Sequence, residues 1–314
     1  MSAAGPQVGI DIGGTKALGV LLAADGTVLA ERQAPSPATS FEDLVATTAA
    51  LADELDADGA SLGVGVAGYV DRSGVVRTSP NLPGLVDAPM RDAIAGASGR
   101  AVVVDNDANA AAVGEATYGA ARGASDVLLV TLGTGIGGGL VLGGRCYRGA
   151  HGGAGEIGHF TVDPAGPLCA CGAPGHWEAL ASGTAFGRRA RERARAGGLS
   201  EVVAGAGGDP EAVTGEIVGA AARAGDPDAV AVVAEYADRV AIGLAGLVAV
   251  LDPAVVVVGG GVSALGEILL APLRIAFLRH VEGGERRPPV AIVAAALGPR
   301  AGAIGAAVLA REAA

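Results

Sequence analysis

The sequence predicts an α/β protein in two lobes, with partly parallel sheets. Three observations carry that prediction. Short apolar runs alternate with longer Ala-rich segments, the alternation that builds α/β folds. A strand–glycine turn–strand unit occurs twice, which suggests one such unit in each lobe. The 314 residues are enough for two domains with complete cores.

Taken in order, Val8 to Asp11 reads as a strand, Gly13-Gly14-Thr15-Lys16 as a turn and Ala17 to Leu22 as the returning strand. Gln33 to Thr39, with Pro35 and Pro37, reads as a loop. A helix is expected over 42–55, strands at Gly63 to Val66 and Ala101 to Val104, and a helix over 108–117. Val127 to Leu132 is the strand of the second unit, Gly133 to Gly139 its turn and Leu140 to Leu142 its return. Helices follow over 177–195, 228–250, 263–279 and 301–313, with a mobile loop at Gly197 to Pro210 and a strand at Val255 to Val258. The long apolar passage Val240 to Val258 is broken by Asp252-Pro253, so it reads as helix, turn and strand rather than a membrane span. The lobe boundary falls near Gly114 to Gly123. That gives a small domain, 1–115 joined by the final helix 300–314, and a larger one, 116–299.

Half of the residues are apolar but only 3% are aromatic, so the core must be built of Ala, Val, Leu and Ile. A net charge of −11 argues against nucleic acid or an anionic membrane as partner. The basic run Arg188 to Arg195 contains Glu192 at helical spacing and reads as a solvated helix face. No secretory signal opens the chain, and three Cys with one Cys-x-Cys pair suit a reducing cytoplasm better than a disulfide framework.

The two glycine turns point to an anion. Backbone that approaches phosphate oxygens closely has no room for Cβ atoms, and its N–H groups then form a cradle. Thr15 and Thr134 add hydroxyl donors, and Lys16 adds either a charge or a strand-surface residue. No helix follows either turn, so neither is a GxxxxGK[ST] phosphate loop.

The strand at Val102 to Val104 ends in Asp105-Asn106-Asp107-Ala108-Asn109, where α/β sheets place their ligands. One Asp here can simply cap the helix. A carboxylate at this place can also accept the proton of a substrate hydroxyl, and an adjacent amide can hold neighbouring hydroxyls. Asn81, in Ser79-Pro80-Asn81-Leu82, can supply a further amide.

Three of the four His and two of the three Cys fall between His151 and His176. His159, Cys169, Cys171 and His176 match a closed tetrahedral zinc site, which is structural. Glu156 and Glu178 flank this knot, where pinned carboxylates can accept bonds from sugar hydroxyls.

DIGGTK at Asp11 to Lys16, VDNDANAAAVGE at Val104 to Glu115, TLGTGIGGG at Thr131 to Gly139, AGEIGH at Ala154 to His159 and CACGAPGHWEALASG at Cys169 to Gly183 resemble the ROK family of repressors, open-reading-frame proteins and sugar kinases. The likeness runs over nearly the whole chain. Val66-Ala67-Gly68-Tyr69-Val70-Asp71 and Ser79-Pro80-Asn81-Leu82 look most like its actinobacterial glucokinases. The resemblance implies an actin-like, hexokinase-type (ribonuclease H-like) ATPase fold with a cleft between the lobes. It implies a cytoplasmic glycolytic enzyme, a dimer or tetramer, that phosphorylates glucose at the 6-hydroxyl with ATP and Mg²⁺. Asp107 is then the catalytic base. Asn81, Asn106, Glu156, His159 and Glu178 bind the sugar, and Gly68 lines its pocket. Gly13, Gly14, Thr15, Lys16, Thr134 and Gly135 bind phosphates, Asp11 lies near Mg²⁺, and Gly260 borders the adenosine. His159, Cys169 and Cys171 match the family's Zn²⁺ ligands; His176 stands where the family usually has Cys.

Three alternatives share these motifs. One is a kinase for N-acetylmannosamine, N-acetylglucosamine or fructose. Another is a sugar-sensing regulator, disfavoured by the ten residues ahead of Asp11 and the acidic charge. The third is an ATPase activator holding an iron–sulfur cluster, disfavoured by the lone Cys-x-Cys pair.

Overall fold

The computed structural model describes residues 5–56 and 59–313. They group into two compact units, one of residues up to 129, 138–155 and 296 onward, the other of 130–137 and 156–295.

In chain order the first unit opens with β1 (Gln7–Ile12), β2 (Lys16–Leu22), β3 (Val28–Pro35), α1 (Phe41–Leu55) and β4 (Leu62–Val66). β5 (Tyr69–Val70), β6 (Val76–Thr78) and β7 (Val86–Ala88) form a small antiparallel sheet of their own. α2 (Met90–Ser98), β8 (Val102–Asn106) and α3 (Asp107–Tyr118) follow. β9 (Val127–Leu132), β10 (Ile136–Leu142) and β11 (Arg145–Cys146) lead on to α4 (Trp177–Ala181), α5 (Gly183–Arg195), α6 (Ser200–Gly205), α7 (Gly215–Arg223) and α8 (Pro227–Leu251). β12 (Val255–Gly259), α9 (Glu267–His280), β13 (Ala291–Ala294) and α10 (Ala301–Ala313) complete the chain.

The duplicated hairpin belongs to a duplicated sheet. One sheet has the order β3-β2-β1-β4-β8 and the other β11-β10-β9-β12-β13. In the first, β1 and β2 are antiparallel, while β1, β4 and β8 run parallel. In the second, β10 and β11 are antiparallel and β12 and β13 parallel. The central parallel strands β4 and β12 contain only Val, Leu and Gly and are buried along almost their whole length, as strands covered on both faces are. The core of the first unit is accordingly aliphatic, with Val8, Ile10, Ile12, Leu62, Val64 and Val66 at its centre.

α10 packs on this first sheet at backbone distance. A Cβ on Gly63 of β4 would lie 1.8 Å from the Ala306 carbonyl oxygen, and one on Gly305 would lie 1.6 Å from that of Ala110 in α3. The approach to α10 is fixed by Glu115, whose side chain is fully buried. Its Oε1 accepts from the Leu297 N–H at 2.8 Å, and its Oε2 accepts from the N–H groups of Ala120 at 2.8 Å and Ala296 at 3.1 Å.

Several expectations need correction. Gln33 to Pro35 are strand rather than loop, since they pair with Lys16 to Leu18. Pro35 ends the sheet's edge strand, where a missing N–H is tolerated. The helix over 177–195 is two helices, because Ser182 stands between them and its Oγ caps α5 by accepting from Ala185 N–H. The helix over 263–279 starts only at Glu267, after Gly266 at φ 60°. Gly197 to Pro210 contains α6, held by buried Leu199 and Val202. β10 begins at Ile136 rather than Leu140. The break at Asp252-Pro253 stands as read, and among the described residues no helix is long and apolar enough to cross a membrane.

Candidate active site

In the first unit, strand register assembles the acidic residues. Asp11 of β1 lies opposite Gly65 of β4, which lies opposite Asp105 of β8; Ile12, Val66 and Asn106 form the next row. Asp11 therefore sits at the carboxyl end of β1 and Asp105 and Asn106 at that of β8, on either side of the parallel strand β4, with Asp107 opening α3. A Cβ on Gly65 would touch both Asp107 Cα (3.4 Å) and Asp11 Oδ1 (3.7 Å), so the strand between them is kept bare.

The helix cap is Asn106. Its Oδ1 accepts from the N–H groups of Ala108 at 2.9 Å and Asn109 at 3.0 Å, and its Nδ2 donates to the Gly68 carbonyl at 3.0 Å. One amide hydrogen of Asn106 is left for a ligand. Asp107 is thereby released from capping; its Oδ1 accepts from Ala108 N–H at 2.9 Å. Asp105 is structural. It accepts from Asn106 N–H and Asn109 Nδ2 on one oxygen, and from Arg148 Nε at 2.5 Å on the other. Arg148 lies 43 positions away, and nothing local in the sequence signals the pair.

Charge is concentrated here. Burial first, then the negative Asp107, pushes the Asp11 carboxyl up to about 7, and the Lys16 ammonium opposes that shift. Burial also pushes the Asp107 carboxyl above its usual range, against the lowering bond from Ala108.

The other first-unit candidates gather nearby. Gly68, at φ 139°, would clash with the Thr78 carbonyl if it carried a Cβ. Asn81 sits in a turn that Ser79 braces, its hydroxyl donating to the Ala67 carbonyl and accepting from Leu82 N–H. Gly14 abuts Asn81, with a Cβ there 2.9 Å from the Asn81 carbonyl oxygen. Gly13 N–H closes the hairpin on the Lys16 carbonyl, leaving Thr15 and Lys16 exposed at its tip.

In the second unit the glycine turn and the metal-type cluster adjoin through Glu178. Its Oε2 accepts from Ile136 N–H at 2.9 Å, and its Oε1 faces Cys169 Sγ at 3.6 Å. A Cβ on Gly135 would lie 2.2 Å from Oε2, so any side chain there would displace the Glu178 carboxylate. Buried Trp177, which donates to the Arg239 carbonyl, anchors the short α4 that carries Glu178. Thr134 is exposed at the turn. Gly260 has φ 80° and lies against the Leu132 backbone, so strand packing alone already demands glycine at that position.

His159, Cys169, Cys171 and His176 offer ligand atoms within 4.8 Å of one another. Cys169 Sγ lies 3.7 Å from His159 Nδ1, and Cys171 Sγ 3.2 Å from His176 Nδ1. The other ring nitrogen of His159 points at Glu156, 3.9 Å away.

The sequence pattern of the ROK family matches residues 7–313. The glucokinase of Streptomyces coelicolor is 40% identical, with 98% of each chain aligned. The chain belongs to the ROK family. Glucokinase of Thermotoga maritima is 38% identical to this ROK chain, with 85% of each covered. A crystal structure of a ROK family glucokinase from Streptomyces griseus, in complex with glucose and AMPPNP, superposes with a TM-score of 0.85 at 41% identity, covering 98% of this chain and 100% of that one. The ROK chain thus has the mixed α/β, two-lobed actin-like ATPase fold.

Proposed function

We propose that this ROK chain is a glucokinase, transferring the γ-phosphoryl group of ATP to the 6-hydroxyl of glucose. The observation that carries the reading is Asp107: a carboxylate at the head of α3, relieved of capping by Asn106 and adjoining the Asp11 carboxylate. Similarity to glucokinases over 98% and 85% of the chain supports glucose as the sugar.

In this reading Asp107 accepts the proton of the sugar hydroxyl as its oxygen bonds to the γ-phosphorus. The bond from that phosphorus to the bridging oxygen breaks, and ADP leaves with the electron pair. Asn81, Asn106, Glu156, His159 and Glu178 hold the remaining hydroxyls, with Gly68 lining the pocket. Gly13, Gly14, Thr15, Lys16, Thr134 and Gly135 hold phosphates, and Gly260 borders the adenosine. A carboxyl pushed up to about 7 by burial and a like charge is one that a divalent cation relieves, so Asp11 fits a place beside Mg²⁺. When bound, Mg²⁺ offsets charge on the β- and γ-phosphates. Ligand atoms of a tetrahedral zinc stand roughly 3.5 Å apart; the Cys169–His159 and Cys171–His176 separations lie on either side of that value, and all four ligand atoms lie within 4.8 Å of one another. We assign that set to Zn²⁺, with His176 as fourth ligand and Glu156 orienting His159. Its role is to stiffen the loop that carries the sugar-binding carboxylates. The enzyme acts in the cytoplasm, its product a hexose 6-phosphate.

The test is ADP release across glucose, N-acetylmannosamine, N-acetylglucosamine and fructose. Glucose is expected to give the highest kcat/KM. A preference for another hexose overturns the sugar assignment, and no release with any of them overturns the kinase.

A further inference from the structure

The second glycine turn is not shaped by its own hairpin alone. Within the turn, Gly133 N–H donates to the Gly135 carbonyl at 3.0 Å. Three further hydrogen bonds tie it to one stretch of chain, the α4–α5 segment. Ile136 N–H donates to Glu178, Gly183 N–H donates to the Gly133 carbonyl at 2.7 Å, and Thr184 Oγ1 donates to the Thr134 carbonyl at 2.8 Å. Gly183 admits no side chain, since its Cβ would lie 2.7 Å from the Gly133 oxygen and 2.9 Å from Val262 Cγ2. Thr184 is exposed, so its hydroxyl is not needed to fill a core.

A trans peptide is planar, and its C=O and N–H point in opposite directions. The Gly133 carbonyl shares a peptide plane with Thr134 N–H, and the Thr134 carbonyl shares one with Gly135 N–H. Fastening both carbonyls to the start of α5 therefore turns both N–H groups to the opposite side. Two successive N–H groups facing one way make an anion cradle.

We infer that Gly183 and Thr184 are positioning residues for nucleotide binding: they aim the N–H groups of Thr134 and Gly135 at a phosphate of ATP. This rests on the kinase reading above. It adds that nucleotide affinity is set partly by a hydroxyl that touches no nucleotide.

The experiment compares parent protein, Thr184→Val and Thr184→Ser by calorimetric titration with AMPPNP and, separately, with glucose. Losing one orienting hydrogen bond is expected to raise the AMPPNP Kd about three- to tenfold in Thr184→Val. Glucose affinity stays at the parent value, and Thr184→Ser, which keeps the hydroxyl, restores AMPPNP binding. An unchanged AMPPNP Kd in Thr184→Val, a parallel loss of both ligands, or no rescue by Ser overturns the inference and leaves the kinase reading standing. A parent protein that binds glucose but no AMPPNP overturns the kinase reading, and this inference with it.

Discussion

Replacing Asp107 by Asn separates chemistry from stability. Asn keeps an oxygen for the bond from Ala108 N–H, so the head of α3 is preserved. It removes the proton acceptor, and turnover is expected to fall at least ~100-fold. It also removes a negative charge that helps to push Asp11 up to about 7 from an ordinary 3.8. A shift of that size puts the cost of ionising Asp11 in the fold on the order of 4 kcal/mol. Burial is the larger cause and Asp107 the second, so relief of the charge recovers on the order of 1 kcal/mol. The sign follows from the direction of the shift. A carboxyl raised in the fold holds its proton more tightly folded than unfolded. Its penalty is absent below about pH 4, grows with pH, and is complete above about pH 7. Asp107→Asn should therefore melt about 2 °C higher than the parent at pH 8 without divalent cation, and the gain should shrink towards pH 5.5. The assays are coupled ADP release and Trp177 fluorescence during thermal unfolding. Sugar phosphorylation near the parent rate, or a lower melting temperature at pH 8, refutes the reasoning.

Removing metal with a chelator, or substituting Cys171→Ser, is expected to destabilise the 159–178 loop and raise the KM for glucose; full glucose affinity in folded, metal-free protein counts against the pinned carboxylates. Arg148→Met leaves Asp105 charged and buried, and should cost about 3 kcal/mol in urea unfolding. A change within about 0.5 kcal/mol would show that the pair holds nothing in place. Glu115→Gln supplies one acceptor oxygen where three N–H groups converge, and should lower stability by about 2 kcal/mol. An unchanged urea midpoint would remove Glu115 from the account of how α10 is anchored.

What could be read from the chain was what is local. Val127 to Leu132 matches β9 residue for residue because an apolar run bounded by glycine carries its own limits. The four metal-type ligands were legible because they crowd one short window. Reading failed where a distant partner decides the outcome. Gln33 to Pro35 look like a loop until β2 is there to pair with them. Asp105, Asn106 and Asp107 are alike as letters; Arg148 makes the first structural, and Gly68 helps settle the second as the cap. In the second hairpin Gly133 to Gly139 reads as one continuous turn. Yet Gly139 is bare because α3 lies against it, with a Cβ there 2.3 Å from the Ala108 carbonyl oxygen. Glu178 stands out in the sequence by its place after a histidine, whereas its bond to Ile136 N–H emerges only in the folded chain.

The seating of α10 bears on how the protein is made. This helix leaves the ribosome only after the whole of the second unit, yet it closes against β1, β4 and α3, which all leave before that unit. Until the whole of the second unit has been synthesised, the bare strip along Gly63 and the flank of α3 at Ala110 stand open to solvent. The nascent first unit thus waits, unfinished, for α10, and its dependence on chaperones should be greatest in that interval.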